Sequence, residues 1–197
     1  MRQSKYAKLI DPLHQKPFFT VAEAEEYGIP RHTLVYLVKK GVLTRICPGI
    51  YQSSLYEPKV EFEWENLALA AASIPDGVIC LISALCYYDL TDQIMREAWI
   101  AVAHQSRAPK RPNTRIVRMR NIKLGREKIS LGEFTVQIFN RERCIVDTFR
   151  YLSKEIAIKA LQRYFRDTNY KPQSKKLAEY AKALRINITP YILSCTT

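Results

Sequence analysis

Residues 19–51 read FTVAEAEEYGIPRHTLVYLVKKGVLTRICPGIY, and the punctuation in this stretch decides the fold of the N-terminal part. Thr20 followed by Glu23 has the spacing of a reciprocal capping box, so a helix begins there. Gly28 supplies the left-handed residue that ends it. Pro30 suits the first turn of a second helix, where its missing N–H costs nothing. In that second helix Leu34, Leu37 and Val38 form an apolar stripe at 100° per residue. Thr33, Tyr36 and Lys40 fall on the other side, with His32 and Lys39 beside them. Gly41 closes the helix. Leu43 to Ile46 and Ile50 to Gln52 then alternate as two short strands around Cys47-Pro48-Gly49, a wing with Arg45 on it. The pattern is that of a winged helix-turn-helix.

The polar side of the second helix bears donors and cations but no acid, which suits a surface that meets phosphates and base edges. The expected DNA contacts are His32, Thr33, Tyr36, Lys39 and Lys40 in the groove, with Arg31 and Arg45 on phosphates. A pair of helices with lysines outward is also what an ordinary solvated surface looks like.

The same stretch resembles the N-terminal domain of the AbiEi family of abortive-infection antitoxins. The resemblance rests on Gly28, on Arg31 and Leu34, on Gly41, Leu43 and Arg45, and on Gly49 and Tyr51. It continues at LISALCYYDLTDQ (81–93) and FNRERCIVDTFRY (139–151). It implies a type IV toxin–antitoxin pair, active in phage defence, whose toxin is a nucleotidyltransferase-like protein that need not form a stable complex with the antitoxin. It further implies autoregulation, through binding of promoter inverted repeats as a repressor, with two protomers on the DNA as one arrangement. Antitoxin activity would lie in the second half of the chain.

Charge points the same way. The 197 residues carry 31 Lys plus Arg against 19 acids, a net charge of +12, and such an excess favours a polyanionic partner. With 47% hydrophobic residues the chain can bury real cores. No apolar run spans a bilayer and the first residues lack a signal-peptide core, so a cytoplasmic protein without a membrane partner is expected. Cys47, Cys80, Cys86, Cys144 and Cys195 show no paired spacing, and His14, His32 and His104 are scattered. Neither a disulfide framework nor a metal site is expected, and no cofactor.

The fold class expected is α+β. Residues 1–52 form the winged helix-turn-helix, 53–60 a linker, and 61–197 an α+β antitoxin or effector domain with a small sheet flanked by helices. Residues 2–14 read as an opening helix with Tyr6, Leu9, Ile10 and Leu13 on one side. Phe18 and Phe19 read as a small strand added to the wing. The stretch 61–75 reads as a helix with Phe62, Leu67, Ala70, Ala71 and Ile74 inward, and Val78 to Ile82 as a strand before a helix capped by Ser83. Further strands are expected over 97–103, around Ile116 to Met119, and over 134–139. Helices follow over 141–152 and 154–167, and a last one begins near Ser174. From Arg107 to Lys128 nine basic residues face one acid, Glu127. They suit either phosphate contacts or edge strands kept apart by charge. Arg107, Lys110, Arg111 and Arg115 there, with Lys159, Arg163 and Arg166 on a later helix, are candidates for additional nucleic-acid contacts.

The function these readings favour is a DNA-binding antitoxin that represses its own operon, with no catalytic residues. A winged-helix regulator whose second domain senses a ligand or partner is the first alternative. A DNA-targeted nuclease is the second, with Asp76, Glu97 and Asp147 as scattered acids. Asp147 is otherwise a structural partner for Arg143 or Arg150.

Overall fold

A computed structural model describes residues 7–196, and their chain divides into two compact units. The first runs to Glu61 and takes in Lys110–Pro112; the second holds Phe62–Pro109 and the chain from Asn113 onward. Both mix helix with small sheets, an α+β architecture.

The first unit opens with α1 (Ala7–His14); residues 2–6 of the expected opening helix, Tyr6 included, lie outside the described residues. Ile10 and Leu13 turn inward and Leu9 stays at the surface. The unit continues through β1 (Phe19–Thr20), α2 (Val21–Glu26), α3 (Arg31–Lys39), β2 (Leu43–Cys47) and β3 (Ile50–Ser53). The capping box at Thr20 is fully formed: Thr20 Oγ1 accepts from Glu23 N–H at 3.2 Å, and Glu23 Oε2 accepts from Thr20 N–H at 2.8 Å. Both helices end in the same left-handed closure. Gly28 N–H bonds Glu25 O and Ile29 N–H bonds Ala24 O; Gly41 N–H bonds Val38 O and Val42 N–H bonds Leu37 O. Those are the paired 5→2 and 6→1 bonds that fix the exit direction of a helix, and φ is +75° at Gly28 and +71° at Gly41. Pro30 stands at the N-cap of α3, just before its first turn. β1, β3 and β2 form an antiparallel sheet in that order, and Phe19 stacks on Tyr51 across the β1–β3 pair. One core of Ile10, Leu13, Phe19, Leu34, Leu37 and Leu43 closes the unit.

The second unit is built on a mixed five-stranded sheet in the order β6-β5-β4-β8-β7. Its elements are α4 (Phe62–Ser73), β4 (Val78–Ile79), α5 (Leu81–Tyr87), β5 (Ala98–Ala103), β6 (Thr114–Met119), β7 (Arg126–Leu131), β8 (Phe134–Phe139), α6 (Arg141–Tyr151), α7 (Lys154–Arg166), α8 (Ser174–Leu184) and α9 (Thr189–Thr196). Five features differ from the sequence expectation, the first being β7, a strand where the sequence places none. Phe62 is 93% exposed, because α4 starts there and its buried stripe begins at Leu67. β4 stops at Ile79, since the chain turns into α5 at Leu81 with φ +46°. Ser83 is no cap: its buried Oγ accepts the Trp99 N–H of β5 at 2.9 Å, a tie across sixteen residues of sequence. α8 is followed by α9.

Both edge strands, β6 and β7, come from the basic 107–128 region. Arg115 and Arg118 on one, Glu127 and Lys128 on the other, are exposed charges that discourage edge-to-edge pairing. The two-residue Gly132-Glu133 connection joins β7 to β8, with Leu131 opposite Phe134. No helix of the described residues is long and apolar enough to cross a membrane.

Candidate nucleic-acid interface

Which way α3 faces is set by what it buries. Leu34 and Leu37 enter the core, Val38 packs against it, and Thr33 joins them at 4% exposure. The inward stripe therefore widens to run from Val38 round to Thr33 and is centred between Leu34 and Leu37, roughly 20° round from the position that Leu34, Leu37 and Val38 alone would give. Thr33 cannot reach a groove, which corrects its assignment as a base contact. A threonine is short and half apolar, and sequence alone does not separate a polar face from a core edge there.

The outward face consists of Arg31, His32, Val35, Tyr36, Lys39 and Lys40. His32, Val35 and Lys39 stand at i, i+3, i+7 along one line, with Tyr36 beside them. Val35 is 50% exposed and Tyr36 51%. The Lys40 ammonium lies 5.8 Å from the centre of the Tyr36 ring, a cation–π placement that keeps both at the surface. α3 has no acidic residue. Val35 belongs to neither stripe in the sequence reading; with Thr33 inward, the helical period puts it on the exposed face between Arg31 and Lys39.

The wing follows directly. β2 and β3 pair from Leu43 opposite Ser53 to Cys47 opposite Ile50, with an irregularity between Arg45 and Cys47. Arg45 is exposed there and Gly49 turns the hairpin at φ +83°. The base of the wing is pinned from behind. The Gln52 side-chain amide donates to Pro17 O at 2.8 Å, and the His14 ring meets the buried Ser53 hydroxyl.

The other candidate contacts are dispersed. Lys110 and Arg111 fall with the first unit, whereas Arg107, Arg115, Lys159, Arg163 and Arg166 belong to the second. Several are already engaged by acids. Arg115 lies 3.5 Å from Glu97 and stacks on Trp99 at 4.4 Å. Lys159 pairs with Glu155 at 2.9 Å and Asp92 at 3.8 Å, and Arg163 faces Asp89 at 3.9 Å. Arg107 and Arg166 are exposed.

The FNRERCIVDTFRY segment is a buried polar scaffold. Asn140 caps α6 by accepting the Arg143 N–H. Arg143 donates from Nε to Asp147 at 2.7 Å and from Nη1 to the carbonyls of Asn121 and Leu124 at 2.9 and 2.8 Å. Residues 120–125 lead from one edge strand to the other, so this guanidinium holds the connection in place. Arg150 instead bonds Leu184 O. Burial pushes the Asp147 carboxyl up to about 6 against the pull of Arg143. Glu142, also buried, accepts from Tyr164 and Tyr170 hydroxyls at 2.6 Å each and meets Lys176 at 3.1 Å. Burial raises its pKa, but these hydrogen bonds outweigh it and hold the carboxyl below the ordinary value.

Asp147 is thus committed to Arg143, whereas Glu97 lies 3.5 Å from Arg115 with both side chains partly exposed. Among the described residues no group of three or more His, Cys, Asp or Glu is placed to hold a metal ion. Cys80 and Cys144 are buried thiols pushed up by burial, hence unreactive.

No curated protein matches the chain. Residues 9–54 match the model of a family described as transcriptional regulator, AbiEi antitoxin. That span covers α2, α3 and the wing, so the first unit matches the N-terminal helix-turn-helix region of an AbiEi antitoxin.

Proposed function

We propose that this chain is a DNA-binding antitoxin that represses its own operon and counteracts a nucleotidyltransferase-like toxin encoded beside it. The observation that carries the reading is the outward face of α3: cations and donors with no acid, on a helix whose family match is a regulator's. Residues 1–52 act as the DNA-binding domain, 53–60 as a linker, and 61–197 as the antitoxin domain. Arg31 and Arg45 neutralise phosphates, while His32, Tyr36, Lys39 and Lys40 enter the major groove. Arg107 and Arg166, two exposed cations of the second unit, add backbone contacts. Two protomers bind the two halves of an inverted repeat, in the cytoplasm where the operon lies, as part of a phage-defence system. No stable complex with the toxin is required.

A reporter placed behind the chain's own promoter tests the regulatory half. Wild type should repress it and a Lys39→Ala/Lys40→Ala variant should not; equal expression with both contradicts the reading. Co-expression with the neighbouring toxin gene tests the antitoxin half, with restored growth as the expected result.

A second reading has one observation in its favour. Tyr88, Asp89, Arg141, Arg163, Arg166 and Asp167 line a cleft of about 610 Å³ in the second unit. Arg141 is held there between the Tyr88 and Tyr170 rings at 5.1 and 4.6 Å and paired with Asp167. A regulator that senses a small anionic ligand would use such a cleft.

A further inference from the structure

The outward face of α3 carries one aliphatic side chain, Val35, midway along the helix, and the sequence offers no packing reason for its exposure. Val35 is half exposed between His32, three residues before it, and Lys39, four after. It lies outside the core cluster that takes Leu34 and Leu37. A β-branched residue also gives little to helix propensity at an exposed position. Around it stand Arg31, His32, Tyr36, Lys39 and Lys40, all donors or cations, and no acid. That surround fits a polyanion rather than an apolar protein partner. On the floor of the major groove, base edges offer acceptors, amino donors and one apolar group, the thymine C5-methyl.

We propose that Val35 reads thymine methyl groups in the operator, as the aliphatic residue of the DNA-facing surface of α3. The inference rests on the DNA-binding reading above and adds to it the base feature recognised. Valine suits the task because its χ1 is stiff in a helix, so its two methyls are held in one place. Tyr36 is less suited, since its ring already lies beside the Lys40 ammonium. His32 and Lys39 on either side would donate to purine N7 or O6, so the half-site should carry a thymine next to guanine or adenine acceptors.

The test uses the full chain and the DNA upstream of its own gene, made with thymidine or with deoxyuridine throughout, beside a scrambled fragment. Uracil keeps every hydrogen bond and phosphate and lacks the methyl. Wild type should bind the uracil fragment about fourfold more weakly for each methyl touched, the value of one buried carbon. Val35→Ala should bind the thymine fragment that much more weakly and lose the thymine–uracil difference. Val35→Ile should keep it. Since Val35 is outside the core, both variants should melt like wild type. If wild type prefers its promoter over scrambled DNA yet ignores the uracil replacement, the inference fails and DNA binding stands. It fails equally if Val35→Ala keeps the wild-type ratio. Absence of any promoter preference in wild type overturns the DNA-binding reading and this inference with it.

Discussion

Arg143 and Asp147 form an ion pair one turn apart on α6, 2.7 Å from Nε to Oδ2, with 1% and 3% of their side chains exposed. The pair does more than neutralise itself. Arg143 Nη1 reaches back to the connection between β6 and β7, and the guanidinium carbon lies 4.4 Å from the centre of the Phe139 ring. Gly125 closes against it: a Cβ there would stand 2.7 Å from Arg143 Cβ, and φ is +70°.

Removing one partner leaves the other as an uncompensated buried charge or carboxyl. Arg143→Met or Asp147→Asn should therefore lower stability by about 3–5 kcal/mol. The double change Arg143→Met/Asp147→Leu should cost less than the sum, since paired groups are non-additive. Urea unfolding measures all three. Strictly additive effects would show that the pair is not coupled.

Removal of Arg143 should also loosen residues 121–125 more than the sheet core. Amide hydrogen exchange reads this as reduced protection confined to that connection. A uniform reduction over the whole second unit would contradict a clamping role.

Glu142 gives a pH signature. Its folded pKa lies below the ordinary value, after burial is outweighed by Tyr164, Tyr170 and Lys176. Its stabilisation is thus present above the unfolded value of about 4.3 and lost as pH falls through the folded value. The stability gap between wild type and Glu142→Gln should be wide at neutral pH and narrow in acid. Asp147, lifted to about 6 by burial, slopes stability the opposite way, falling as pH rises from about 4. The wild-type-minus-variant difference cancels that contribution. A gap that does not change with pH would contradict the assignment.

The facing of α3 can be tested by contrast. Thr33→Ala touches a buried side chain, so it should cost about 1 kcal/mol of stability and leave promoter preference intact. His32→Ala and Tyr36→Ala, on the exposed face, should do the reverse. Binding competition against scrambled DNA, with melting curves alongside, separates the two. Loss of preference in Thr33→Ala at unchanged stability would mean the helix is turned the other way.

The parts of the fold that were legible in the sequence are those fixed by neighbours in the chain. Thr20 with Glu23, Gly28, Gly41 and the wing turn act within a few residues of themselves, and each sits as its spacing implies. What was not legible depends on distant partners. Arg126–Leu131 has no strand assigned to it in the sequence until the edge of a sheet gives it a neighbour, although the Gly132-Glu133 turn before Phe134 was a usable clue. Ser83 looks like a cap because its partner, Trp99, is far along the chain. Thr33 and Val35 exchange the roles their polarity suggests, because burial in α3 is decided by what the wing and α1 leave room for. Asp147 has Arg143 one helical turn away, so that pair is local enough to read, whereas Glu97 looks free for a metal until the β5–β6 pairing sets Arg115 beside it.

The central claim is that α3 meets DNA. The most direct measurement is binding of the full chain to its own upstream DNA and to scrambled DNA across a salt series, with wild type, Lys39→Ala/Lys40→Ala and Arg31→Ala/Arg45→Ala. Wild type should prefer its own DNA, with log K falling steeply in log salt. The lysine variant should bind its own DNA more weakly and prefer it less, whereas Arg31→Ala/Arg45→Ala should weaken binding to both fragments, with a slope shallower by about 1.8, or about 0.9 for each phosphate no longer neutralised. Equal binding of wild type to both fragments, or an unchanged slope in the Arg31→Ala/Arg45→Ala variant, would contradict the claim and move the search for function to the second unit.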